Sequence, residues 1–253
     1  MGSVTFSFLN EVVLVTGGSR GLGLEIAQAF GTAGATVVIT ARREQWLLEA
    51  EKNLKDQGIR VKAMVCDVSD PSSVETTVQR ILADYGDINV LVNNAGLTWG
   101  APAETMPLER WHQVINANIN GTFLMSQAVG RYMLEHGSGS IINVASIAGI
   151  GGGQMQTVGY NTSKAAVINL TRALAIEWAQ RGIRVNAIAP GMFRTRMTEA
   201  ILDRAEELVA SSTPMGRIGQ PGELAPTVLF LASNGAKYIT GQVIPIDGGR
   251  TAM

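Results

Sequence analysis

"VVLVTGGSRGLG", residues 12–23, runs from five apolar or β-branched residues into a glycine-rich turn and on into a helical pattern. "VVLVT" shows no polar alternation, as expected of a strand covered on both faces. The stretch that follows, "GLEIAQAFGTAG" (23–34), spaces its apolar residues three and four apart, the pattern of a helix laid on a sheet. Between them, Gly17, Gly21 and Gly23 permit a tight turn, close approach of the backbone to a pyrophosphate, and close helix-on-strand packing. The helix start adds free N–H groups and a partial positive charge. Glycines also suit a plain strand-to-helix turn, but a loop that follows the first strand and opens the first helix has the context dinucleotide binding requires. The expectation is that Gly17, Ser19, Arg20, Gly21, Leu22 and Gly23 hold a dinucleotide pyrophosphate.

The same alternation continues along the chain. "TVVIT" (36–40), "VKAMVC" (61–66), "NVLVN" (89–93), "SIINVA" (140–145), "IRVNAIA" (183–189) and "QVIPID" (242–247) read as further strands. Helical patterns such as "PSSVETTVQRILADYG" (71–86) lie between them. Strand, helix, strand throughout predicts an α/β fold: a doubly wound, Rossmann-type sheet of parallel strands with helices on both faces. No linker interrupts it, and the glycine-rich "GIGGGQ" (149–154) is too short to be one, so residues 1–253 are expected to form a single domain. Ligands of such sheets bind beyond the carboxyl ends of the strands, which directs attention to the residues after each strand.

The end of the second strand bears on which dinucleotide is bound. An acid there would hold a ribose 2′-hydroxyl, whereas arginine accommodates a 2′-phosphate. The sequence has "ITARRE" (39–44), with no acid at Thr40 or Ala41, Arg42 and Arg43 next, and Arg20 available from the glycine loop. A guanidinium fork suits a phosphate dianion, and the expected cofactor is NADP(H). The competing reading is that Arg42 and Arg43 are solvated residues at a helix start.

Composition limits the alternatives. Of 253 residues, 46% are apolar and 16% charged, with a formal net charge of −1, which gives no electrostatic case for nucleic acid or an anionic membrane surface. Cys66 is the one cysteine, so neither an internal disulfide nor a thiolate metal cluster can form. His112 and His136 fall outside every motif and give no metal signal. The opening "MGSVTF" has Phe6 where a myristoylation pattern needs Ser or Thr, and it lacks a basic leader; a cytoplasmic location is expected.

Read in order, the glycine loop, "CDVSD" (66–70), "NNAG" (93–96), "NANING" (116–121), "NVASIAG" (143–149), "YNTSK" (160–164) and "APG" (189–191) resemble a short-chain dehydrogenase/reductase from about Val12 to Gly249. The resemblance implies seven parallel strands, a bound NAD(P)(H) and a catalytic tetrad of Asn118, Ser146, Tyr160 and Lys164. It further implies that Asp67 and Val68 meet the adenine, and that Pro190, Gly191, Phe193 and Thr195 border the nicotinamide. Asn94, Ala95 and Gly96 are expected to face the cofactor, with Asn93 structural. Tyr160 and Lys164 are i and i+4 on one helix face, so the ammonium is expected to pull the phenol down from its usual value near 10 toward working pH. Tyr160 would then exchange the proton with the carbonyl or alcohol oxygen, Ser146 would hydrogen-bond that oxygen, and Asn118 would hold a water beside Lys164. From Ser146 to Tyr160 the chain is one residue longer than in many members, and the extra residue falls in the glycine-rich stretch that flanks the substrate.

Substrate contacts are expected from "GLTWGAPAETMP" (96–107), "GIGGGQMQTVG" (149–159) and the amphipathic 191–219, read as a lid. Leu97, Trp99, Met155, Met192 and Phe193 either wall a substrate pocket beside Ser146 or simply pack their loops. Arg194 and Arg196 either meet an anionic substrate or are solvated. The loops look most like those of gluconate 5-dehydrogenase-like reductases, and the general layout is similar to 3-oxoacyl-[acyl-carrier-protein] reductases. A sugar acid and a 3-oxoacyl thioester therefore stand as alternative substrates, and a non-catalytic dinucleotide-binding sensor or scaffold stands as the alternative function. By the same resemblance, the long helix in "TSKAAVINLTRALAIEWAQRG" (162–182) pairs with its copy in a homotetramer.

Overall fold

The structure, a computed structural model, describes residues 4–152 and 156–253. Seven strands form one parallel sheet: β1 (Val12–Thr16), β2 (Thr36–Ala41), β3 (Val61–Val65), β4 (Val90–Asn93), β5 (Gly139–Val144), β6 (Ile183–Pro190) and β7 (Val243–Ile246), in the order β3-β2-β1-β4-β5-β6-β7. The inner strands are closed to water; every residue of β1 and β4 is buried. The edge strand β7 is half-exposed, and Pro245, which has no N–H to donate to a neighbour, is tolerated there.

Each strand feeds two hydrophobic layers by alternation. Val13 and Val15 point to one side, where α1 (Gly21–Thr32), α2 (Glu44–Asp56) and α8 (Ala225–Ala232) deliver Ile26, Phe30, Leu47, Leu54 and Val228. Phe8 closes that layer edge-on to Phe30, with ring centroids 4.9 Å apart. Val12 and Leu14 point to the other side, against α3 (Pro71–Tyr85), α5 (Gly121–His136) and α6 (Val158–Trp178), which supply Val74, Ile81, Met125, Met133 and Trp178. Withdrawing each such side chain from water stabilises the fold by about 1.5–3 kcal/mol.

Local chemistry sets the helix ends. Asp70 caps α3 by accepting from the N–H groups of Ser72 (3.1 Å) and Ser73 (3.3 Å), with Pro71 in the first turn. Gly86, at φ 77°, ends the same helix in the left-handed region. The chain reverses its winding between β1 and β4, so the loops after these two strands open toward each other at the carboxyl edge of the sheet.

Candidate active site

Thr16 and Asn94 lock those two loops together. The Thr16 hydroxyl accepts from the main-chain N–H groups of Asn94 and Ala95, each at 3.0 Å. In return, the Asn94 side-chain amide donates to the carbonyls of Thr16 (3.0 Å) and Gly17 (3.1 Å). Both amide hydrogens of Asn94 thus serve the glycine loop, and it is the backbone of Asn94, Ala95 and Gly96 that borders the crevice. Asn93 is structural as expected, donating to Ser126 (2.9 Å) and Asn143 (3.0 Å) beneath the sheet edge.

The loop itself is built around absent side chains. Gly17 sits at φ 65°, and a Cβ there would stand 2.8 Å from the Asn94 amide nitrogen and 2.9 Å from the Ala95 Cα. At Gly23 a Cβ would collide with the Asn94 amide and the Gly17 carbonyl. Ser19 is buried, Leu22 packs partly into the core, and Arg20 takes the N-cap position of α1 with no side-chain hydrogen bond to the helix. No acid lies in the first turn of α1, so the positive end of that helix opens unopposed onto the crevice.

The arginines after β2 part company. Arg43 lies over the Trp46 ring with Cζ 4.1 Å from its centroid, and Arg20 approaches the same ring at 3.8 Å. Arg42 turns instead to Asp67 (Nη1–Oδ2 4.0 Å), whose other oxygen accepts from the Ser69 N–H and hydroxyl. Of the two arginines after β2, Arg43 is thus the one that meets Arg20 on Trp46 beside the glycine loop. Trp46 was not singled out in the sequence. Its signal was position: it follows Arg43 by three residues and therefore shares that helix face. Val68 is buried against Gly121.

Beyond β4 and β5, four more side chains converge. Asn118 sits in a π-turn (Asn116–Asn120) between α4 (Leu108–Ile115) and α5, a distortion that recurs at functional sites. Its Oδ1 accepts from the Leu97 N–H (2.8 Å), and its amide donates to the Leu97 carbonyl (3.0 Å) and to Ser163 (2.9 Å). Ser146, two residues past β5, accepts from the Ala148 N–H and lies close enough to the Tyr160 phenol to favour its ionised form. Tyr160 and Lys164 both rise from the first turns of α6. The Lys164 ammonium lies 5.7 Å from the centre of the Tyr160 ring and donates to the Val144 carbonyl at 2.7 Å. A Cβ on Gly96 would stand 3.0 Å from Asn118 Oδ1 and 3.7 Å from Lys164 Nζ, so that glycine leaves the passage between them open.

The electrostatics differ from expectation. Burial pushes the Tyr160 phenol up, and the Ser146 hydrogen bond pulls against it. Burial also lowers Lys164, from 10.5 to about 8. Removing solvent from both groups outweighs the attraction that was expected to depress the tyrosine. In this state the pair is a neutral phenol beside an easily deprotonated ammonium.

The third wall comes from the chain after β6. Gly191 packs against Asp247, where a Cβ would come within 2.8 Å of its Cα, which fixes the turn at Pro190–Gly191. Thr195 hydrogen-bonds Thr198 and lies over Gly21. Phe193 is buried, its ring packed on Gly219, and it joins the core. Met192 lines a cavity of about 230 Å³ with Thr213, Met215 and Ile246. Trp99 and Leu97 are half-buried, and Met155 lies outside the described residues. Arg194 is held by Asp203 (2.7 Å) and Glu206. Among the described residues, no helix is long and apolar enough to cross a membrane.

Comparison with known proteins agrees with this architecture. The family model for enoyl-(acyl carrier protein) reductases matches residues 17–251. The chain is 43% identical over 239 residues to the 3-oxoacyl-[acyl-carrier-protein] reductase FabG of Thermotoga maritima, covering 94% of this chain and 97% of that protein. It is 36% identical over 251 residues to gluconate 5-dehydrogenase of Gluconobacter oxydans, covering 97% and 96%. The crystal structure of a gluconate 5-dehydrogenase from Burkholderia cenocepacia in complex with NADP and tartrate superposes with a TM-score of 0.94 at 34% identity, covering 98% of each chain. With the dinucleotide loop, the seven-stranded order and these likenesses together, the chain belongs to the short-chain dehydrogenase/reductase family of oxidoreductases.

Proposed function

We propose that this protein reversibly reduces a ketone to a secondary alcohol with NADP(H), using Tyr160 as the group that exchanges the proton. The observation that carries this reading is the convergence of Ser146, Tyr160, Lys164 and Asn118 on one crevice that also opens onto the glycine loop.

The residues present fit a dinucleotide phosphate. The glycine loop leaves no room for a Cβ at Gly17 or Gly23, the N-terminal end of α1 is uncapped by any side chain, and Arg20 and Arg43 both pack against Trp46. Gly17 to Gly23 would hold the pyrophosphate, Arg20 and Arg43 a 2′-phosphate, Asp67 and Val68 the adenine. The backbone of Asn94 to Gly96, with Lys164, Tyr160, Pro190, Gly191 and Thr195, would hold the nicotinamide half. When bound, the cofactor supplies or takes up the hydride at the substrate carbon.

The chain's own residues do the rest. Ser146 donates to the carbonyl oxygen, polarising it as negative charge builds there. Tyr160, kept protonated by its burial, gives its phenolic proton to that oxygen, so hydride at carbon and proton at oxygen complete the alcohol. Lys164 has three donors; with one fixed on Val144, the other two remain for ribose hydroxyls and for restoring the tyrosine proton. Asn118 holds Leu97 and Ser163, and so keeps the passage beside Lys164 in shape.

Of the two substrate classes, the 3-oxoacyl thioester is favoured. Arg194 is occupied by Asp203 and Glu206, and Arg196 is drawn toward Trp46 with Arg20 and Arg43, so neither of these two arginines is placed for a sugar carboxylate. The relatives named for gluconate keep the sugar acid as the second reading. Assays of NADPH consumption with a 3-oxoacyl thioester and with a 5-keto sugar acid decide between them. Higher kcat/KM for the thioester is expected; turnover of the sugar acid alone reverses the assignment, and turnover of no ketone refutes the proposed reaction.

A further inference from the structure

Three arginines from separate stretches of chain meet on one indole. Arg20 comes from the glycine loop, Arg43 from the start of α2, and Arg196 from the segment after β6; their Cζ atoms lie 3.8, 4.1 and 5.1 Å from the centre of the Trp46 ring. No carboxylate among the described residues forms an ion pair with any of the three. Their mutual repulsion is felt: burial, then Arg196, then Arg43 lower the affinity of Arg20 for its proton. A cation–π contact at an exposed site is weak, and repulsion between neighbouring cations is of similar size, so the ring alone gains little by gathering three like charges. Such a cluster is complementary to an anion taken from solution.

The chain around Arg196 strengthens the point. Its neighbour Thr195 lies against the glycine loop, with its Cβ 3.6 Å from where a side chain on Gly21 would begin. Farther along, the Gly222 N–H donates to Glu25 of α1 at 2.9 Å. Segment 192–198 thus touches the glycine loop at Thr195 and reaches Trp46 at Arg196 before leading into α7 (Glu199–Ser211), which Arg194 ties down through Asp203 and Glu206.

We propose that Arg196 is a specificity-determining residue: the third arm of a 2′-phosphate site gathered around Trp46, which docks Arg196 and the segment after β6 onto the adenosine end of the cofactor. This rests on the NADP(H) reading given above. Guanidinium forks around a phosphate ester dianion replace repulsion by charge-assisted hydrogen bonds. A dinucleotide with a free 2′-hydroxyl offers Arg196 no partner, so it occupies the same crevice without drawing down 192–198. The 2′-phosphate thereby acts at two places: on affinity, and on the order of the chain leading into α7.

Calorimetric Kd values for NADP+ and NAD+, measured on the wild type, Arg196→Ala and Arg194→Ala, test this, with hydrogen exchange of peptides covering 192–211 in the same samples. Arg196 is exposed, so its removal leaves the core intact. Arg196→Ala is expected to weaken NADP+ about tenfold or more while leaving NAD+ within about twofold. It should also abolish the extra protection of 192–198 that NADP+ gives over NAD+. Arg194→Ala should leave the ratio of the two affinities unchanged. A wild type that prefers NADP+ and an Arg196→Ala that keeps that preference overturn the role of Arg196 alone. A wild type that binds NAD+ as tightly as NADP+ overturns the NADP(H) reading and this inference with it.

Discussion

Lys164 stands one helical turn beyond Tyr160, its ammonium 5.7 Å from the centre of the tyrosine ring and fixed on the carbonyl of Val144. The lysine is wholly withdrawn from solvent on the crevice side of β5, and its affinity for a proton falls accordingly, from 10.5 to about 8. Folding therefore releases a proton that the unfolded chain keeps between those two values. Stability rises with pH across that window, by about 3 kcal/mol in all if no other group intervenes. Urea denaturation of the wild type and Lys164→Met at pH 8 and pH 10 isolates the effect. The difference between them should move in favour of the wild type at the higher pH; a constant difference contradicts it.

The same pair sets a pH dependence of catalysis. Tyr160 is pushed up and remains a proton donor through neutral pH, while Lys164 begins to lose its charge near 8. Reduction should be level through neutrality and fall above about pH 8, because the cation that restores the tyrosine proton is lost first. A kcat/KM profile still rising at pH 9 would show that Lys164 keeps its proton.

Gly17 combines backbone strain with crowding, and Gly58 separates the two. Both are left-handed, at φ 65° and 79°, but a Cβ at Gly58 meets nothing within 4 Å, whereas at Gly17 it meets Asn94 and Ala95. Gly58→Ala should cost about 1 kcal/mol from strain, and Gly17→Ala roughly 1–3 kcal/mol more from displaced neighbours. Equal losses in thermal unfolding would mean that the loop yields without cost.

Assembly as a homotetramer is expected from the outer face of α6. Ala165, Asn169, Ala173 and Ile176 follow one another at helical spacing on the exposed side, and Ile176 is 82% exposed. Light scattering should give about four times the 26.8 kDa chain mass, and Ile176→Glu should shift it to smaller species. A monomeric wild type contradicts the expectation.

Much of the architecture was legible in advance because the parallel sheet is covered on both faces, so its strands read as bounded apolar runs. Each of the seven appears within a residue or so of its expected limits, and the conformational demands of the glycine loop were visible as glycines. What the sequence hid were choices between neighbours. Nothing in "ARRE" says that Arg42 turns to Asp67 while Arg43 stacks on Trp46; that depends on where α2 points its first turn. The partners of the Asn94 side chain were hidden in the same way, because an amide serves a ligand or a carbonyl equally well until the opposite loop is in place. The tyrosine shift was misjudged because spacing reveals a neighbouring charge but not the loss of water around both groups.

The most direct test compares the wild type with Tyr160→Phe in NADPH-driven reduction of a 3-oxoacyl thioester, with NADP+ binding measured on both. The variant should still bind NADP+, weakened by no more than the one contact that the Tyr160 hydroxyl makes, and lose a factor of about 10²–10⁴ in kcat. A Tyr160→Phe enzyme that turns over at the wild-type rate would show that the proton comes from elsewhere.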